Sequence, residues 1–246
     1  MPVLTTNNSI LTHNGYMLHI TNPYNPLDVP VGKLRFAFNR PKDIRQYSGE
    51  GIIPEQWSVI GREMIGNIEY LIMDYDYPIN YHSGLNQFYS IFNTHYEDIK
   101  ILGGDLTGRD PTFLMTKCTT LSTVGMVDIR NVSIRGLLLC FDGCTGLQSI
   151  AQWPTSNVTG WDRTFRDCIK LQSIPAFDMS STISMHQSFR NCFRVESGAL
   201  NIYNQVKDQV EDHGLNVFTD CGLLSTTGRA ELAQIPTSWG GTMEEE

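Results

Sequence analysis

Apolar and polar positions alternate in two stretches near the start of the chain. Met17, His19 and Thr21 alternate with Leu18 and Ile20, and Leu34, Phe36 and Phe38 alternate with Arg35, Ala37 and Asn39. A period of two predicts half-buried strands. A third strand is predicted in "NIEYLIMDYDYP" (67–78), which is mostly apolar until Asp74. Segments rich in Gly and Pro punctuate these runs. Residues 1–84 therefore read as β-rich.

From about residue 85 a longer period takes over. Cys118, Cys144, Cys168 and Cys192 are separated by 26, 24 and 24 residues. Three windows share one frame, with an apolar residue, Phe four later, Cys three later and Leu or Val three later. They are Leu137, Phe141, Cys144, Leu147; Trp161, Phe165, Cys168, Leu171; and Met185, Phe189, Cys192, Val195. Met115, Cys118, Leu121 and Val124 form a weaker copy. Phe88, Phe92 and His95 form the earliest, with His95 in the cysteine slot. Phe218, Cys221 and Leu224 form a distorted last copy. The spacing i, i+4, i+7 predicts one face of a short helix. Leu171, Ile174 and Phe177 then predict a short strand, followed by turn residues such as Asp178 and Ser180. A helix, a strand and a turn in about 24 residues make one coil of a solenoid, with strands stacked in parallel about 4.8 Å apart. Such a coil buries its apolar face only against its neighbours.

The end of this region predicts a cap. Leu200, Tyr203, Val206 and Val210 share one helix face, Ser197 is the N-cap candidate and Gly214 the stop. A short helix ending at Pro236 and an acidic tail follow.

Composition narrows the function. The chain has 246 residues, 41% of them hydrophobic, and a net charge of −8. No Lys/Arg cluster points to nucleic acid, and no apolar run is long enough for a membrane span. The start, "MPVLTTNNSILTHNG", lacks a basic segment followed by an apolar one, so a cytoplasmic beginning is expected. Six cysteines in a chain of this length are too few for a disulfide scaffold.

"CTGLQSIAQWPTSNVTGWDRTFRDCIKLQSIPAFDMSSTISMHQSFRNC" resembles the BspA-like class of leucine-rich repeat. That class uses units of the form F-x-x-C-x-x-L-x-x-I-P-x-F-D and is common in bacterial surface proteins. "NPYNPLDVPVGKLRFAF" and the C-terminal "TTGRAELAQIPTSWGG" are similar to repeat proteins of gut Bacteroidetes phages of the crAss-like kind. Two departures stand out: His95 replaces a cysteine, and the unit around Met115 carries "VGMVDIRNV" instead of the I-P-x-F-D ending. The resemblance implies a phage virion protein of a head fibre, a tail fibre or a capsid or tail decoration. Its implied partners are other virion proteins, further copies of itself (a trimer, as in many fibres) and a host cell-surface glycan or protein. A bacterial surface adhesin is the alternative, and a glycan-degrading enzyme a more distant one.

Candidate chemistry is sparse. Zinc sites need close Cys or His pairs in duplicate, and only Cys140 and Cys144 form one. Cys140 is also out of the repeat register. The ladder cysteines therefore read as small buried hydrophobes. The histidines at 13, 19, 82, 95, 186 and 213 show no ligand spacing. "ILGGDLTGRD" (101–110) lacks the rest of a phosphate-binding motif and reads as a turn. Asp74 and Asp76 could in principle bind calcium or act on a glycoside, but a strand end with packed tyrosines is the simpler reading. The sequons at Asn7, Asn131 and Asn157 read as turn chemistry.

The expectation is thus an α+β chain in three parts. A β-rich docking and oligomerisation region covers 1–84. A leucine-rich-repeat-like solenoid, with a short helix plus a parallel strand per coil and a capping helix, covers 85–225. A tail covers 226–246. No catalytic, cofactor or metal site is expected. The repeat ladder itself is Phe92, His95, Met115, Cys118, Leu121, Phe141, Cys144, Leu147, Phe165, Cys168, Leu171, Phe189, Cys192, Val195, Phe218 and Cys221.

Overall fold

The structure, a computed structural model, describes residues 10–13, 16–19, 29–39, 57–77, 92–93, 96–132, 135–210 and 216–244. Strands β1 (Ile10–His13) and β2 (Tyr16–His19) form an antiparallel pair. Six further strands form one mixed sheet in the order β4-β5-β3-β6-β7-β8. They are β3 (Lys33–Phe38), β4 (Trp57–Ile65), β5 (Ile68–Asp76), β6 (Ile99–Asp105), β7 (Leu121–Asp128) and β8 (Ser149–Ile150). Pairing is antiparallel from β4 through β6 and parallel from β6 to β8. β3 thus hydrogen-bonds along the outer edge of β6, the first parallel strand, and satisfies backbone groups that would otherwise be an open edge.

The alternation read in β3 sends Leu34, Phe36 and Phe38 into the core, each fully buried. Phe36 and Phe38 pack against Trp57, with ring centroids 5.4 and 5.7 Å away. Ala37 on the other face is also buried, with Tyr70, Ile72 and Leu102. The main core then runs without a break from Leu34 to Trp239.

The helix-plus-strand solenoid is not what forms. Among the described residues from Met115 to Val195 the repeat units contain no helix. Each puts a pair of tight turns where the helix was expected. In the unit around Cys168, Arg163 and Asp167 both have positive φ, 53° and 62°. Leu139 and Gly143, and Gln187 and Asn191, repeat this at the same spacing of four. A left-handed residue every fourth position cannot belong to a right-handed helix. The amide groups then have two destinations in alternation. Those of Thr164, Arg166 and Cys168 bond three residues back, to Trp161, Arg163 and Phe165. Those of Trp161, Arg163, Phe165 and Asp167 cross to the next unit, reaching the carbonyls of Ser184, His186, Ser188 and Arg190 at 2.8–2.9 Å. The apolar residues still point inward at the expected spacing, but turns put them there.

The predicted strand "LQSIPAF" shrinks to a single parallel bridge, Ser173 to Ser197. Pro175, like Pro154 one unit earlier, has no N–H to continue a ladder. Single bonds such as Gln172 N to Gln148 O (3.0 Å) and Glu196 N to Gln172 O (2.8 Å) carry the stacking instead.

Helices α1 (Ala199–Val206) and α2 (Thr226–Leu232) lie beyond the last full unit. The N-cap of α1 is Gly198 rather than Ser197, with φ of 106°. A Cβ there would sit 2.3 Å from the Ile174 carbonyl oxygen, so only glycine fits. The amides of Gly198 and Leu200 instead donate to the two carboxylate oxygens of Glu231 in α2, at 3.2 and 3.0 Å. Gln205 and Gln209 donate to the carbonyls of Phe177 and Met179. The helix thereby covers backbone groups of the loop beneath it. α2 begins with a Ser225 cap on the Gly228 amide and stops before Pro236. The stop expected at Gly214 lies outside the described residues.

Candidate functional site

Of the sixteen ladder residues, His95 lies outside the described residues. The other fifteen are buried in one cluster. The phenylalanines form a stack. Phe141 and Phe165 are 5.5 Å apart and parallel to within 1°, Phe165 and Phe189 are 5.5 Å apart, and Phe189 and Phe218 are 5.9 Å apart. Each centroid step is close to the spacing of paired strands, which is what a register of one ring per coil requires.

The cysteines form a second column with a defined bonding rule. The thiols of Cys144, Cys168 and Cys192 donate to the carbonyls of Met115, Phe141 and Phe165, at 3.0, 3.3 and 3.1 Å. Each acceptor is the Phe-slot residue of the preceding unit. In the weaker unit at Cys118, the Thr120 hydroxyl reaches the equivalent carbonyl of Phe92 instead. Burial in apolar surroundings pushes the Cys118 thiol up to about 12. Burial likewise holds the thiols of Cys140, Cys144, Cys168, Cys192 and Cys221 above the ordinary cysteine range. The thiolate is the nucleophile and the metal ligand, so these groups are held in their unreactive form. Among the described residues no cluster of His, Cys, Asp or Glu could hold a metal ion.

Cys140, out of register in the first column, belongs to a third one. Cys140, Thr164 and Ser188 each precede the Phe of their unit. Their side chains donate to the carbonyls of Pro111, Leu137 and Trp161 in the unit before, at 2.9 Å in all three cases. The motif frame passed over this column because Cys, Thr and Ser look unlike one another. Their common trait is a small donor next to Phe, and that was readable.

The other candidates resolve into structural roles. Asp74 is buried and takes two bonds from the Arg35 guanidinium across the β3–β5 pair, at 2.7 and 3.0 Å. Asp76 pairs with Lys33 at 3.1 Å. Each carboxylate has its own cation, so they do not form a convergent acid pair or a calcium cradle. Most of "ILGGD" is not a turn but strand β6. A Cβ on Gly104 would lie 2.7 Å from the Lys33 carbonyl oxygen, so glycine permits the close approach of β3. The turn begins at Asp105, whose carboxylate accepts the Thr107 amide. Asn131, with φ of 57°, occupies a turn as its sequon context suggested.

The strand side of the units differs from the turn and loop sides. On the turn side, Asp142 takes two bonds from Arg166 (2.6 and 2.9 Å), and Asp167 accepts from Asn191 (2.6 Å). On the loop side, Thr155 donates to the Asp178 carbonyl and Gln152 to that of Ala176. On the strand side, Gln148, Lys170, Gln172, Arg194 and Glu196 are exposed. Among the described residues, none of these five side chains has a hydrogen bond or ion pair. Two clefts lie along this row. One of about 290 Å³ runs from Asp98 and Lys100 to Gln148 and Lys170. The other, of about 490 Å³, runs from Gln172 and Arg194 to Ser225 and Thr226. The first cleft is fixed at one end by Lys100, which binds the Asp98 carboxylate at 2.8 Å and the Ser122 hydroxyl at 2.9 Å. The arrangement offers directional hydrogen bonds on a shared backbone ladder.

No protein-family model, curated protein or solved structure matches the chain.

Proposed function

We propose that the chain is a non-enzymatic structural protein of a phage particle, part of a fibre or a capsid or tail decoration. It assembles with other virion proteins and with further copies of itself, and presents the strand side of its units to a host surface. The observation that carries the binding role is the row of five unengaged polar side chains on a backbone ladder. Side chains held on a rigid scaffold lose less freedom on binding than side chains on a loop. The burial of every cysteine and the separate pairing of Asp74 and Asp76 support binding rather than chemistry. The phage assignment is supported by the resemblance of the β3 and α2 segments to phage repeat proteins. Mass spectrometry and electron microscopy of purified particles test it, set against surface labelling of intact bacteria. The chain is expected in the particles. Its absence there, with label on the bacterial surface, would overturn the assignment in favour of an adhesin.

A further inference from the structure

We propose that the strand-side row binds a neutral oligosaccharide lying across the units, an inference that rests on the binding role above. Charge is the first argument. The residues along the two clefts include three carboxylates, Glu97, Asp98 and Glu196, and three cations, Lys100, Lys170 and Arg194. They sum to zero within a chain of net charge −8. A polyanion needs a basic track, and this row has none.

Apolar content is the second argument. Protein partners are anchored by buried aromatic and aliphatic side chains, and Leu224 is the one large apolar residue along the clefts among the described residues. What the row does supply is donors and acceptors side by side. The Gln148 and Gln172 amides each offer both, and Thr119 and Thr123 add hydroxyls. A polyol, whose every hydroxyl both gives and takes a hydrogen bond, matches that mixture.

Spacing is the third argument. Gln148, Gln172 and Glu196 occupy equivalent places in successive units, tied by the backbone bonds described above. Each step is about 4.8 Å, comparable with the length of one sugar ring in a linked chain. A linear glycan across the row therefore meets an amide at two successive steps and a carboxylate at the third.

The test uses the full chain on an array of neutral, sialylated and sulfated glycans, followed by calorimetric titration of the strongest neutral binder. Neutral glycans are expected to bind. The double variant Gln148→Ala/Gln172→Ala is expected to weaken that binding roughly tenfold, about 1.4 kcal/mol. Ser180→Ala on the loop side should leave binding unchanged, and both variants should melt as the parent does. Three results would overturn the proposal: no neutral glycan retained, sulfated or sialylated glycans bound more tightly, or full binding by the folded double variant. Particle mass spectrometry separates the two levels. A chain present in virions but blind to glycans would sink this proposal and leave the virion role standing.

Discussion

Phe165→Ala is the sharpest perturbation of the stacked units. The ring is fully buried and lies between Phe141 and Phe189, both 5.5 Å away. Truncating a buried Phe costs about 3–5 kcal/mol once the cavity is counted. Part of that loss, about 0.5–1.5 kcal/mol per pair, belongs to the ring contacts themselves. For a chain of this size about 1 kcal/mol shifts the melting temperature by roughly 2–4 °C. The expected drop is therefore on the order of 6–20 °C, read by circular dichroism in reducing buffer, with a matching fall in the urea midpoint. Phe141→Ala should cost a similar amount. Because the two rings touch, the double variant should depart from the sum of the singles by about 0.5–3 kcal/mol. A Phe165→Ala loss below about 1 kcal/mol, or strict additivity with Phe141→Ala, would refute the continuous stack.

The remaining predictions probe the columns beside it. Thr164→Val keeps the shape of a side chain whose hydroxyl lies 2.9 Å from the Leu137 carbonyl and 2.6 Å from that of Trp161, so it should cost about 1 kcal/mol in urea unfolding. Burial holds all six thiols above the ordinary cysteine value of 9.0, so their contribution is complete below about pH 9 and falls as pH rises above it, in a window that reaches about 12 for Cys118. Each thiol contributes a slope of up to about 1.4 kcal/mol per pH unit in that window. Urea midpoints should therefore drop between pH 8 and 10, and a flat profile would contradict the burial of the column. Asp74→Asn removes the charged acceptor that takes both bonds from the Arg35 guanidinium, 16% exposed, leaving Arg35 its weaker attraction to Glu63. It should cost roughly 2–4 kcal/mol by chemical denaturation, near the lower end for a broken buried pair. Glu231→Gln weakens the acceptor for the first amides of α1 and should lose about 0.5–1 kcal/mol, with faster amide exchange at Leu200 as the local readout.

Much of the inward pattern was legible in the sequence. Period-two alternation placed Leu34, Phe36 and Phe38 in the core, and the repeat frame found the Phe and Cys columns. The local backbone was misjudged because i, i+4, i+7 describes a helix face and equally a pair of stacked tight turns. A discriminating signal was present. The residue before Cys144, Cys168, Cys192 and Cys221 is Gly143, Asp167, Asn191 and Asp220 in turn, and these types tolerate the left-handed conformation that a helix excludes. The other left-handed slot holds Phe113, Leu139, Arg163, Gln187 and Asn216, and of these only Asn216 is a type that announces it. The strand expected over "LQSIPAF" is cut short because Pro175, which the repeat motif contains, has no N–H to give to a ladder. The mixed sheet was beyond local reading, since the pairing of β3 with β6 joins residues 61 to 70 positions apart. The polar row was equally hidden, because only the fold distinguishes an engaged Gln205 from a free Gln172.

The most direct test of turn-built units is a scalar coupling across a single hydrogen bond. In a long-range HNCO spectrum of deuterated protein, the Asp167 amide nitrogen should correlate with the carbonyl carbon of Arg190, whose oxygen it meets at 2.9 Å in the next unit. A correlation with the carbonyl of Arg163, four residues back in its own unit, would mean a helix at that place and would contradict the account.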